Sequence, residues 1–247
     1  MSLEYNDIKI DGRIRISPSS FYLLFDNPAK WYKQTVDKIR DGVNTNLVFG
    51  SIIHNRIEQL FNNLPVDVIA EEAYINSFND IVEVNAWEVY EMIEPTWNVL
   101  SEHLKTVEIP VGFEEELTYI PTTNNDIFIG GTYDYRYNNV VGDYKTTSTS
   151  QSGIKTHHKL QLLLYAYMLN KQGHNITEIE VTYIVKPKQL KTKFKDAVVQ
   201  VYREPIDEKD MQYVLTHVKN LGTKISMCKA NPELVDLFFY NNPLAHF

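Results

Sequence analysis

The sequence predicts a mixed α/β fold, one sheet flanked by helices, and three patterns carry that expectation. After Lys105, the segments VEIPVGFEEELTYI, DIFIGGTYDYRY and VVGDYKTT read as three successive strands. HHKLQLLLYAYMLNKQG then puts apolar residues at 160, 163, 164, 167 and 168 and closes on Gly173, the pattern of a long helix. EIEVTYIVKP and AVVQVYREP return to strand before a last helix over 207–227.

The remaining elements follow in chain order. ISPSSFYLLFDNPAKWYKQ reads as a strand end, a Ser-Pro step and a capped helical run. Ser17 or Ser19 is suited to the cap, Pro18 to the first turn, and Pro28 ends or restarts the helix. Over 47–61, Ile53, Ile57, Leu60 and Phe61 recur at helical spacing, and His54 and Glu58 share a neighbouring face one turn apart. A further helix is expected over 83–104, with Trp87, Tyr90, Ile93 and Trp97 along one side and a kink at Pro95. Asn138-Asn139 suits a tight turn between the second and third strands. The aromatic stretch LVDLFFYNNPLAHF is expected to tuck against the core or to engage a partner. With no internal repeat or low-complexity linker, one domain over 1–247 is expected, with 62–106 as an acidic helical insertion.

Composition narrows the class. An apolar fraction of 43% and an aromatic fraction of 12% are enough for a sizeable core, so a folded chain is expected and disorder is a poor reading. Cys228 is the only cysteine, which rules out an internal disulfide and any cysteine-ligated cluster within one chain. No apolar run approaches the roughly 20 residues of a membrane span, and MSLEYNDIKIDGR lacks a signal-peptide core, so a cytoplasmic protein is expected. The net charge of −8 argues at first against a nucleic-acid partner, but it is unevenly spread. Residues 67–116 hold thirteen acids and one lysine, whereas residues 136–203 hold eleven basic residues and four acids. Lys186, Lys188, Lys191, Lys193 and Lys195 crowd ten positions. A strand of DNA feels local potential over a Debye length of about 10 Å, so this stretch is a candidate DNA-backbone contact. It reads equally well as a solvated lysine-rich hairpin.

The chemistry concentrates in GGTYDYRYNNVVGDYKTT. Asp134 falls near the end of one strand and Asp143 on the next, so a hairpin brings both carboxylates to one edge, where they can share a hard divalent cation. Lys145, two residues from Asp143, points to the same strand face. Hydrolysis of a phosphodiester needs an activated water, a polarised phosphoryl group and stabilised charge on the leaving oxygen. Two carboxylates, a cation and an ammonium supply that set. The Tyr144 carbonyl offers another oxygen ligand, and Lys145 either positions or deprotonates the water. A bare D-x-K triplet is also what a solvated strand face looks like. Gly130, Gly131 and Gly142 suit crowding around a phosphate or ordinary turns. His54 is a nitrogen ligand or a packing residue. Glu116 is a third carboxylate candidate, with Glu114 competing from the same alternating face. Gln161 and Tyr165, four apart on the long helix, can face a water, a base edge or a phosphate, or lie at the core edge. His157 and His158 at that helix's start are placed near backbone phosphate without a catalytic role.

Taken together, I-S-P-S-S-F-Y-L-L-F-D-N-P, G-S-I-I-H, G-G-T-Y-D, G-D-Y-K-T and Q-L-L-L-Y resemble the RecB-like, Cas4-like branch of the PD-(D/E)xK nuclease superfamily, from about Ile16 to Val185. The resemblance implies a restriction-endonuclease-like core. It implies that His54, Asp134 and Asp143 bind metal, that Lys145 assists attack, and that Gln161 with Tyr165 forms the trailing helix motif. Where some relatives place a Cys-Pro step and an iron–sulfur cluster, this chain has Asn27-Pro28 and Cys228 alone, so no such cluster is expected. No G-x-x-x-x-G-K-[ST] is present, so unwinding would need a separate helicase. The character is closest to stand-alone phage exonucleases. The expected function is a Mg²⁺- or Mn²⁺-dependent deoxyribonuclease, an exonuclease leaving 5′-phosphate products in recombination, repair or DNA turnover. A recombination or single-strand-annealing protein is a further expected partner. Alternatives are a structure- or sequence-specific endonuclease, a catalytically inactive DNA-binding or assembly protein, and an interaction factor using the aromatic tail.

Overall fold

The computed structural model describes residues 12–189 and 194–240. Among these, one mixed sheet holds β1 (Ile14–Ile16), β2 (Gly112–Tyr119), β3 (Ile127–Arg136), β4 (Val140–Thr147), β5 (Glu178–Val185) and β8 (Val198–Pro205). The spatial order is β1-β3-β4-β5-β8, with β2 also paired to β3. The β1–β3 and β4–β5 pairs are parallel; β2–β3, β3–β4 and β5–β8 are antiparallel. Parallel neighbours need a crossover, and α6 (Thr156–Lys171) provides it between β4 and β5. A separate ribbon pairs β6 (Lys188–Gln189) with β7 (Phe194–Lys195).

Helices cover both faces, as a strand buried on two sides requires. On one face α6, α7 (Glu208–Ala230) and α2 (Pro28–Thr35) close a core that includes Trp31, Tyr133, Val141, Leu163, Val181 and Leu221. On the other, α3 (Thr45–Phe61), α4 (Val68–Asn76) and α5 (Ala86–Leu104) close a second core with Phe49, Ile53, Ile93, Tyr135, Tyr144 and Ile184. The acidic segment 62–106 therefore supplies cover for one sheet face. β5 shows the consequence: every residue from Ile179 to Val185 is buried.

Local chemistry sets the helix starts. Asn27, Asn44, Asp67, Asn85 and Asp207 each accept a backbone N–H at the beginning of α2, α3, α4, α5 and α7. Ser17 precedes a 3-10 turn, Pro18–Ser20, but its hydroxyl pairs with Ser19 Oγ at 2.8 Å and caps nothing. Pro28 restarts the chain as a helix after the short α1 (Leu23–Asp26).

Pro95 sits inside a continuous α5. Two expectations are corrected. The buried side of α5 is Val89, Met92, Ile93, Thr96, Leu100 and Leu104, while Trp87 is 71% exposed, because the helix turns its small and aliphatic side to the sheet. The last helix runs on to Ala230. Beyond it Phe239 stacks on Trp31 at 5.8 Å, so the described part of the aromatic tail packs on the core; residues 241–247 lie outside the described residues.

One buried ion pair ties α4 to α3. Arg56 Nε and Nη2 donate to Glu71 at 2.7 and 2.8 Å, and Nη2 also reaches Glu94 on α5 at 2.7 Å. Both Arg56 and Glu71 are almost fully buried. Removing one partner strands the other charge in a low-dielectric interior. Arg56→Ala should lower unfolding free energy by about 3–5 kcal/mol in urea titrations. Arg56→Met with Glu71→Leu should recover most of that loss, since it removes both charges.

Candidate active site

The site begins with a failure of strand pairing. β4 pairs with β5 along its whole length, but with β3 only at Tyr135–Gly142 and Arg136–Val141. The next pair would be Asp134 with Asp143. Instead the strands part, and Asp134 Oδ2 accepts the Tyr144 N–H at 2.7 Å. The Tyr144 carbonyl accepts from His54 Nε2 on α3 at 3.0 Å. Both backbone groups of Tyr144 are thus satisfied by side chains rather than by a strand, as buried backbone demands. With its proton on Nε2, the His54 ring turns its Nδ1 lone pair toward Asp134, 3.7 Å from Oδ2.

Gly142 makes the last closed rung possible. A Cβ there would fall 2.1 Å from the Tyr135 ring, which lies across it and donates its hydroxyl to Glu180 at 2.8 Å. Gly131 is open to Tyr165 Oη and Pro18 in the same way. Gly142 and Gly131 therefore admit aromatic and proline neighbours.

Glu114 enters from β2. It adopts φ +48, a left-handed conformation that costs a non-glycine residue about 1–3 kcal/mol and tends to occur at functional sites. The ladder skips the Glu114–Asp134 rung while holding register on both sides. Ligand atoms of His54, Glu114 and Asp134 lie within 4.8 Å of one another. Glu116 stands exposed opposite Thr132, outside that cluster, because the turned backbone at Glu114 breaks the alternation that would have put both glutamates on one face. Sequence alone left Glu114 and Glu116 as competitors, because a run of three glutamates does not reveal which one the backbone turns inward.

Asp143, Lys145 and Gln161 form the other wall. Lys145 Nζ donates to Asp143 Oδ1 at 2.9 Å, and Gln161 Nε2 from α6 donates to the same oxygen at 2.8 Å. Asp143 Oδ2 lies 2.7 Å from Nζ but receives no well-directed hydrogen bond. Tyr165 donates its hydroxyl to the Thr132 carbonyl at 2.7 Å, so it braces β3. Of the lysine stretch, Lys186 is buried, bonded to Asn46 and set over the Phe49 ring, which removes it from any exposed DNA track. Lys188 and Lys195 are exposed and opposite each other in the β6–β7 ribbon; Lys191 and Lys193 lie outside the described residues.

Charge is out of balance here. Burial, then Asp134 and other carboxylates, push Glu114 up to about 8. Burial also drives Asp143 up, to about 7, with Asp134 adding to it against the pull of Lys145. Burial draws Lys145 down, but Asp143 and Asp134 outweigh it and hold the ammonium charged. One ammonium does not neutralise three neighbouring carboxylates, and the nitrogen and oxygen donors of His54, Glu114 and Asp134 fit a divalent cation.

The linkage has a definite sign. Glu114 and Asp143 hold their protons in the folded state above their ordinary 4.5 and 3.8. The folded protein therefore binds more protons than the unfolded chain between about pH 4 and 8, and stability falls as pH rises through that window. In EDTA the melting temperature should drop across it. Mn²⁺ should raise the melting temperature more at pH 8 than at pH 5, because at low pH protons compete for the same oxygens.

A family profile describing the PD-(D/E)XK nuclease superfamily matches residues 15–233. No curated protein sequence matches the chain. A crystal structure of a "putative exonuclease" from Eubacterium rectale superposes with a TM-score of 0.60 at 14% identity, covering 99% of this chain and 94% of that one. The structure of SSO0001 aligns over 81% of this chain and 85% of its own at 16% identity, with a TM-score of 0.32. The profile spans nearly the whole chain and the first superposition shows the same fold: this protein belongs to the PD-(D/E)XK nuclease superfamily.

Proposed function

We propose that the chain is a divalent-metal-dependent deoxyribonuclease acting as an exonuclease and leaving 5′-phosphate ends. The observation that carries the reading is the convergence of His54, Glu114 and Asp134 at the β3–β4 fork, with the Asp143–Lys145 pair beside them. His54, Glu114, Asp134 and Asp143 are the residues that would hold Mg²⁺ or Mn²⁺, with the Tyr144 carbonyl at the same fork. When bound, the ion supplies Lewis acidity toward the phosphoryl group.

The chain's own residues do the rest. Lys145, kept charged by Asp143 and Asp134, orients a water toward phosphorus and stabilises the charge that grows on the phosphoryl oxygens. Gln161 fixes the Asp143 carboxylate through Oδ1, while Oδ2 stays 2.7 Å from the Lys145 ammonium. Water adds to phosphorus, the P–O3′ bond breaks, and the 3′ oxygen departs as a hydroxyl. Lys188 and Lys195 are the described members of the lysine stretch exposed enough to hold backbone phosphates. The exonuclease mode takes support from the superfamily and from the description given to the Eubacterium rectale protein.

End-labelled single- and double-stranded DNA with Mg²⁺, Mn²⁺ or EDTA tests the reading. Cleavage from ends that needs the ion is expected, with roughly 10²- to 10³-fold loss in Lys145→Ala and Asp134→Asn. Gln161→Ala should lose roughly 10- to 100-fold, since it acts through Asp143. Cutting of closed circular DNA would remove the exonuclease mode, and absence of any ion-dependent hydrolysis would remove the nuclease reading.

A further inference from the structure

A line of rings runs outward from Lys145. Tyr183 lies opposite Lys145 in the β4–β5 ladder and is fully buried. Its hydroxyl accepts the Lys155 N–H at 3.0 Å and hydrogen-bonds with His158 Nδ1, 2.9 Å away. The His158 ring packs on Tyr183 at 5.5 Å, His157 on His158 at 4.0 Å, and Tyr22 on His157 at 5.3 Å. His157 sits one helical turn before Gln161 on α6, so it stands above the residue that holds Asp143.

The inner and outer rings differ in one respect. Tyr183 and His158 satisfy each other. The Tyr22 and His157 rings are half-buried, and no side-chain hydrogen bond holds either of them among the described residues. They come from separate elements, the turn before α1 and the first turn of α6, and they meet beside the Lys145 wall. Apolar packing alone would favour aliphatic side chains there. Two adjoining, half-buried rings without side-chain hydrogen bonds among the described residues fit a flat, polar-rimmed ligand, and in a nuclease that ligand is a nucleobase.

We propose that Tyr22 and His157 form a stacking platform for the nucleobase next to the scissile phosphate, which sets the register of the strand against Lys145. The inference rests on the nuclease reading above. The two rings act as positioning residues: they hold the nucleotide and take no proton from it. Because every base has a π face, the platform serves any sequence and favours unpaired ends, where a base is free to leave its stack.

The test uses the full chain and a DNA strand with 2-aminopurine at its terminal nucleotides. In EDTA, wild type should bind and quench the label, as stacking does. Tyr22→Ala and His157→Ala should lose the quench and weaken binding roughly tenfold, whereas Tyr22→Phe and His157→Phe, which keep the rings, should retain both. With the ion present, KM in the alanine variants should rise more than kcat falls. Equal quench and KM in wild type and both alanine variants, with wild type active, would overturn the platform and leave the nuclease reading standing. Phenylalanine variants as impaired as the alanine ones would also overturn it, since hydrogen bonding rather than stacking would then be at work. A wild type that neither binds nor cleaves DNA would overturn both.

Discussion

The arrangement depends on one substitution of partners: a carboxylate, Asp134, takes the backbone N–H that a strand would otherwise have taken. That hydrogen bond holds β3 and β4 apart after two rungs, and the opening becomes the site. Once the fork exists, Tyr144 presents its carbonyl into it, His54 reaches that carbonyl from α3, and Asp143 and Lys145 line the opposite wall. Asp134, Asp143 and Tyr144 are buried because a sheet sandwiched by helices surrounds the fork, while His54 and Lys145 stay partly exposed at its mouth.

Burial then does chemical work. In water three carboxylates and one ammonium would repel only weakly, but here desolvation makes the excess negative charge costly and raises Glu114 and Asp143 together. A divalent ion relieves that cost, so the same feature that weakens the metal-free fold strengthens ion binding. The left-handed backbone at Glu114 belongs to this balance, a local strain held in place by the intact rungs on either side. Rigid surroundings sustain it: Tyr135 laid over Gly142, Tyr165 braced on Thr132, and Gln161 fixed to Asp143.

Much of this was legible from residue order. Alternation and helical spacing located β2 to β5, α3 and α6, and the motif order singled out His54, Asp134, Asp143, Lys145, Gln161 and Tyr165. Legibility stopped where side chains choose between two satisfactory environments. Lys186 looks like its neighbours Lys188 and Lys195 in sequence, yet it lies against Phe49 and Asn46 because it follows a strand buried on both faces. Trp87 fits the helical stripe of α5 but falls on its outer side, since the stripe's phase depends on which side meets the sheet.

What the sequence by itself determined is the type and order of the elements and the residues able to do metal chemistry. Periodicity and turn chemistry are local, and so is the two-residue step that places Asp143 and Lys145 on one face. Only the tertiary structure decided which glutamate joins His54 and Asp134, that Tyr165 serves the Thr132 carbonyl, and that Tyr22 meets His157. Those outcomes turn on where β3 and β4 separate and on a backbone angle at Glu114, and both arise from packing among segments far apart in the chain.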